Sequence, residues 1–221
     1  YSMHRTLRSV RRADMVVHLI DATGPISQVD KKLAGHVQKH YKPVVIVLNK
    51  WDLAEQLELE TYQDYVDQYL SGMAFAPMAA MSALTGQNVE DVFKLAAELY
   101  RQSGTRVTTG ELNRVVQAAV GRCSPGASRT KKLKIKYATQ VGTHPPHIVV
   151  FCNDRSLVRA DYGRYLAGRL RDELPFGEVP IRIDFRSSGR RSRGKEPTRK
   201  KAVKQKTPPR KGGSGRGTKK K

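Results

Sequence analysis

The chain has 221 residues, with 41 Lys and Arg against 20 Asp and Glu and a formal net charge of +21. That length suggests one or two domains. No apolar run approaches the roughly eighteen residues that cross a membrane, and no secretory signal is visible. The cysteines, Cys123 and Cys152, lie in separate segments without metal-binding spacing, so free thiols with no disulfide partner in a cytoplasmic protein are expected.

Residues 15–21 (Met-Val-Val-His-Leu-Ile-Asp) form a continuous apolar run and predict a buried strand. Residues 26–40 predict a helix with Val29, Leu33 and Val37 on one stripe, and 44–49 a second strand. Thr61 to Tyr69 reads as a polar, partly exposed helix, and 78–82 as a third strand. Asn88 is placed to cap a helix whose stripe is Val89, Val92, Phe93, Ala96 and Tyr100. Gly104 closes this unit. Strands alternating with helices imply an α/β fold, a parallel sheet flanked by helices.

The style changes at Thr105. Thr108 or Thr109 caps a helix with Leu112, Val115, Val116 and Ala119 facing one way. Lys132-Leu-Lys-Ile-Lys-Tyr137 alternates, which turns Leu133, Ile135 and Tyr137 to a core. His147 to Cys152 is wholly apolar and reads as a central strand. Asn153 or Asp154 caps a helix carrying Val158, Tyr162, Leu166 and Leu170, and Ile181, Ile183 and Phe185 alternate in a last strand. The order is α-β-β-α-β, a small α+β unit. One sheet face would show Lys132, Lys134 and Lys136, with Arg182 and Arg186 on the related strand. The pattern fits an RNA-binding face and equally a half-exposed sheet with its lysines in water. Aromatic neighbours that could stack on bases are not expected there. His144-Pro-Pro-His147 is a loop pair with no further ligand nearby, so no metal site is expected.

Chemistry is carried by the end of the second strand. Val44-Val-Ile-Val-Leu-Asn49-Lys50-Trp51-Asp52 is an apolar run that stops at Asn-Lys-x-Asp. A carboxylate at Asp52 accepts both hydrogens on one edge of guanine, a donor pair that adenine lacks. Asn49 can bond the other side of the ring, and the Lys50 stem can lie along its face. Alone, the motif also fits a plain turn after a strand. A second run, Pro77-Met-Ala-Ala-Met-Ser82-Ala83-Leu84-Thr85-Gly86, ends in Ser-Ala one helix further on. There a backbone N–H, expected from Ala83, would meet the guanine carbonyl oxygen.

The phosphate cradle Gly-x-x-x-x-Gly-Lys-[Ser/Thr] does not occur in these residues. Asp21-Ala-Thr-Gly24 matches the Asp-x-x-Gly pattern of a γ-phosphate sensor, but too few elements separate it from Asn49. It reads as a coincidental match, and the chain as starting inside a GTPase domain, after its phosphate half. Residues 189–221 hold fifteen Lys and Arg against one acid, Glu196, so +14 of the total +21 lies in 33 residues. With almost no apolar side chain, this tail is expected to be disordered and to favour a polyanion.

Asp21-Ala-Thr-Gly24, Asn49-Lys-Trp-Asp-Leu53, Ser82-Ala-Leu-Thr-Gly-Gln87, Arg164-Tyr-Leu-Ala-Gly-Arg-Leu170 and Pro180-Ile-Arg-Ile-Asp-Phe-Arg186 resemble the bacterial GTPase family Der, also called EngA. The resemblance covers about residues 1–188. It implies the C-terminal half of a P-loop GTPase domain (1–104), a KH-like domain (105–188) and a variable basic tail (189–221). It further implies guanine binding by Asn49, Lys50 and Asp52, with Ser82, Ala83 and Leu84 as the second wall. GTP or GDP is the implied nucleotide, with Mg²⁺ only in the full-length protein. The implied partners are the large ribosomal subunit and its ribosomal RNA. No catalytic role carries over to any residue here, and the chain alone is expected not to hydrolyse GTP. The loop Gly121-Arg-Cys-Ser lacks the Gly-x-x-Gly clamp of RNA-binding KH domains. The alternative is a non-enzymatic ribosomal RNA-binding module that uses the KH-like sheet and the tail.

Overall fold

A computed structural model describes residues 2–54, 59–70, 72–123 and 132–188. The tail expected to be disordered, 189–221, lies outside the described residues, as do residues 124–131. The first layer is built from helix α1 (Ser2–Arg12), strand β1 (Val16–Asp21), helix α2 (Gln28–Lys39), strand β2 (Val44–Asn49), helix α3 (Leu59–Tyr69), strand β3 (Met78–Ala80) and helix α4 (Val89–Ser103). β1, β2 and β3 pair in that order and all in parallel. Parallel strands need crossovers, and α2 and α3 supply them. Ser27 starts α2 with a reciprocal capping box to Asp30, which satisfies two otherwise open backbone donors.

β2 is covered on both faces, which explains its unbroken apolar run. Val44, Ile46 and Leu48 pack with Val37 of α2 and Val66 of α3 in one cluster. Val45 and Val47 belong to the other cluster, with Val92, Ala96 and Leu99 of α4. β1 departs from the expected buried strand. His18 and Ile20 are buried, but Val17 and Leu19 are 37% and 47% exposed, because β1 lies at the end of the described sheet and only one of its faces packs on α2. α4 differs too. Its buried stripe is Val92, Ala96, Leu99 and Ser103, while Phe93 and Tyr100 point largely outward. Asn88 makes no side-chain cap. It sits at a left-handed φ of 57° and donates instead to the Ala80 carbonyl.

The second layer comprises α5 (Thr109–Arg122), β4 (Ile135–Gly142), β5 (His147–Cys152), α6 (Tyr162–Glu173) and β6 (Arg182–Ser187). β5 is central, antiparallel to β4 and parallel to β6. Thr108 caps α5 by accepting from the Glu111 N–H, and Leu112, Val115, Val116 and Ala119 are all buried, as the periodicity predicts. Two expectations fail. Asp154 caps only a short 3-10 turn, Arg155–Leu157, and α6 begins later at Tyr162, so Val158 lies outside it. Tyr137 does not face the core. A bulge between Ile135 and Tyr137 sets two steps of β4 against one of β5, and Ala138 takes the buried position while Tyr137 is 46% exposed. One extra residue reverses every side chain beyond it.

Gly104 ends α4 but does not end the core. Leu99 of α4 and Leu112, Leu166 and Phe176 of the second layer belong to a single buried cluster. Polar contacts reinforce the join. Ser103 Oγ lies 2.8 Å from His144 Nδ1, the His144 N–H donates to the Ser103 carbonyl, and the Glu178 N–H donates to Gln102 Oε1 at 2.9 Å. His144 also stacks on Tyr100, with ring centroids 4.5 Å apart.

Candidate guanine site and basic sheet face

β2 leaves the sheet at Asn49, and the chain turns sharply. Lys50 takes a left-handed conformation with φ 63°, after which Trp51–Leu53 form one 3-10 turn. That geometry returns Asp52 to the carboxyl edge of the strands, where open α/β sheets bind ligands. The edge is knitted to β3 by two backbone bonds, Met81 N–H to Leu48 O and Trp51 N–H to Met81 O, at 2.9 and 3.1 Å.

Asp52 Oδ1 is buried and has no hydrogen-bond partner among the described residues. Buried acceptors are almost always satisfied, so an open one at a binding edge marks a place where a ligand donor could bond. The ring N–H and amine of guanine supply such donors. Ser82 is fully buried and supports the second wall. Its Oγ accepts from the Thr85 N–H at 3.2 Å, and its carbonyl accepts from the Gly86 N–H, with Gly86 at φ +83° closing the turn. Leu84 is 90% exposed beside it.

The Ala83 N–H corrects the expectation made for it. It is not open, because it donates to Asn49 Oδ1 at 3.0 Å. Asn49 thereby ties the two loops together, and its amide nitrogen is the end left for a base. Lys50 is likewise engaged. Its Nζ lies 2.5 Å from Asp21 Oδ2, while Asp21 Oδ1 accepts from the Thr23 N–H and hydroxyl at 3.0 and 2.7 Å. The Lys50 hydrogen bond first, and the Thr23 bonds after it, hold the Asp21 carboxyl down at about 2. Asp21 is the residue that sequence reasoning missed. Set aside as a false phosphate sensor, it ends β1 directly opposite Asn49 in the parallel register, and so meets the next residue, Lys50.

On the second sheet, β5 pairs Phe151 with Tyr137 on one side and Arg186 on the other. These three side chains form a row on the face away from the core. The expectation of a face without aromatics is therefore wrong. The Tyr137 and Phe151 rings stack with centroids 4.5 Å apart and 18° between planes. Lys132, Lys134, Lys136, Arg182 and Arg186 are all exposed. Lys136 Nζ donates to the Ser188 carbonyl at 3.0 Å, and Arg182 lies 3.4 Å from Asp184, which also pairs with His147 at 2.7 Å. Asn153, expected as a cap, instead clamps the incoming strand, donating to Lys132 O and accepting from the Lys134 N–H.

Residues 3–102 match the family described as elongation factor Tu GTP binding domain, and residues 106–186 the family described as KH-domain-like of EngA bacterial GTPase enzymes, C-terminal. GTPase Der of Rhodopirellula baltica is 44% identical over 191 residues, covering 86% of this chain and 42% of the relative. The chain is a Der homologue. GTPase Der of Moorella thermoacetica is 42% identical over 188 residues, 84% of this chain and 43% of the relative. This Der homologue thus spans less than half the length of the curated relatives it matches. Among solved structures, Era in complex with MgGDPNP and nucleotides 1506–1542 of 16S ribosomal RNA aligns with a TM-score of 0.35 and 18% identity, over 81% of this chain and 66% of that chain. That likeness is too low to carry an argument.

Among the described residues of this Der homologue, no three His, Cys, Asp or Glu side chains gather to hold a metal. His147 begins β5 and pairs with Asp184 rather than sharing a loop ligand set with His144. Cys152 is buried, and burial raises its thiol pKa, which suits a core residue rather than a nucleophile. No helix among the described residues is long and apolar enough to cross a membrane.

Proposed function

We propose that this chain forms the C-terminal part of a Der-type GTPase that acts in the cytoplasm in assembly of the large ribosomal subunit. The first layer reads guanine, and the KH-like layer meets ribosomal RNA. The observation that carries the proposal is the unpartnered, buried Asp52 oxygen at the carboxyl edge of a parallel sheet. The Der relationship supports the same reading. In this scheme the division falls near Gly104, and the shared core and the Ser103–His144 contact transmit nucleotide state from one layer to the other. Phosphoryl transfer is mostly positioning and electrostatics around the phosphates and Mg²⁺. No such cradle occurs in this sequence, so these residues supply base recognition and no catalytic step.

Two experiments test the proposal. Depleting the protein in its host and resolving ribosomal particles on a sucrose gradient should reveal accumulating precursors of the large subunit. A normal profile overturns the assembly role. The purified chain should turn over no GTP. Turnover that survives Asp52→Asn argues against the assignment of these residues.

A second reading, a ribosomal RNA-binding module without enzymatic activity, is favoured by charge. Residues 189–221 carry fifteen of the basic residues and one acid. It predicts RNA affinity that falls steeply with salt and largely disappears when 189–221 are deleted. Unchanged affinity and salt slope after that deletion exclude the tail.

A further inference from the structure

The bulge in β4 does two things: it seats Ala138 in the core, where Asn113 of α5 bonds its N–H and carbonyl at 2.7 and 2.8 Å, and it turns Tyr137 outward. Without it, alternation would bury Tyr137 and leave Ala138 outside. With it, Tyr137 leaves the core and stacks on Phe151, in the same cross-strand row as Arg186. Bulges recur where a strand re-aims a side chain at a functional site. An aromatic ring nearly half exposed on a sheet carries a cost in water, and here it stands among cations. Lys136 precedes it, Arg186 closes its row, and Lys134, Lys132 and Arg182 are exposed on the same layer. The one acid on that β6 face, Asp184, is already paired with His147 and Arg182.

We propose that the Tyr137–Phe151 pair is a base-stacking platform for single-stranded RNA, with Lys136 and Arg186 holding the flanking phosphates. The proposal rests on the RNA reading above and adds a strand preference to it. Aromatic side chains on an open sheet stack unpaired bases whatever their sequence, whereas bases in a duplex are stacked on one another and offer no free face. The flanking cations fit the phosphates on either side of a stacked base and give the contact its salt dependence. A protein partner meeting this face would need to match exposed cations that bear no surplus acid between them, and the charge favours a polyanion.

The test uses the whole chain and a labelled oligoadenylate of about a dozen nucleotides, single-stranded or annealed to its complement. Tyr137→Ala should weaken single-strand binding by roughly five- to a hundredfold. It should leave the salt slope and duplex binding unchanged, and Tyr137→Phe should restore affinity. Lys136→Ala and Arg186→Ala should instead flatten the salt slope. Because Tyr137 is exposed, thermal melts of the variants should match the parent. Equal losses for single strand and duplex, or no loss in Tyr137→Ala, overturn the platform. If binding stays steeply salt-dependent while Tyr137 is indifferent, electrostatic RNA binding stands and the face is left to a protein partner. If the chain binds neither RNA, both readings fall.

Discussion

Asp52→Asn probes the carboxyl edge of the first sheet most directly. In the parent, Oδ1 is buried without a partner among the described residues. An unmet buried acceptor costs about 1–3 kcal/mol, which a ligand donor recovers on binding. Guanine presents a ring N–H beside an exocyclic amine, and the carboxylate accepts both. The amide of asparagine accepts one and turns a donor toward the other. A bidentate base contact is worth about 1–3 kcal/mol, so the substitution should cost roughly five- to a hundredfold in affinity. A contact of that size falls far short of the roughly 8 kcal/mol behind micromolar binding, so the assay has to tolerate weak binding. Amide NMR titration with mononucleotides does. GMP should move the Asp52 and Ala83 signals while AMP leaves them in place. In Asp52→Asn the GMP response should vanish and a response to xanthosine monophosphate appear, because xanthine carries a carbonyl beside its ring N–H. Equal responses to GMP and AMP, or an intact GMP response in the variant, would refute the assignment.

Two further outcomes test the core. His18 is 5% exposed, its Nε2 has no hydrogen-bond partner among the described residues, and burial lowers its pKa below 6.5 against the weaker pull of Asp30. A depressed histidine leaves the unfolded chain as the better proton acceptor, so its stabilisation is present above 6.5 and fades as pH falls below that value. The urea midpoint should therefore drop between neutral and mildly acidic pH, and the drop should shrink in His18→Phe. An identical slope in both proteins would assign the effect to other groups. Leu166→Ala removes a side chain with 0% exposure from the cluster that also holds Leu99 of α4. It should cost about 2–5 kcal/mol and shift one melting transition that near- and far-ultraviolet signals share. Two separate transitions, only one of them shifted, would show that the layers unfold independently.

Much of the architecture could be read from local pattern. Thr108 and the Leu112, Val115, Val116, Ala119 stripe follow from capping chemistry and a 3.6-residue period. The apolar run of β2 announced a strand, and Asn49, Lys50 and Asp52 stood out as a candidate group because neighbouring residues at one strand end share a surface. Asp21 escaped notice for the opposite reason. Its partner is 29 residues away, and only the parallel register of β1 and β2 brings its carboxylate to Lys50. The same holds for Ala83, whose N–H is claimed by Asn49 from 34 residues upstream.

Local pattern determined the kind of layer each segment builds and which polar side chains gather at the end of β2. Tertiary structure decided which side chains meet and which face water. A single extra residue between Ile135 and Tyr137 turned a ring expected in the core to the outer face, and no count of alternating residues reveals it. Periodicity records what a segment can bury. Register and bulges depend on the partner strand, whose position is set only when the whole sheet packs.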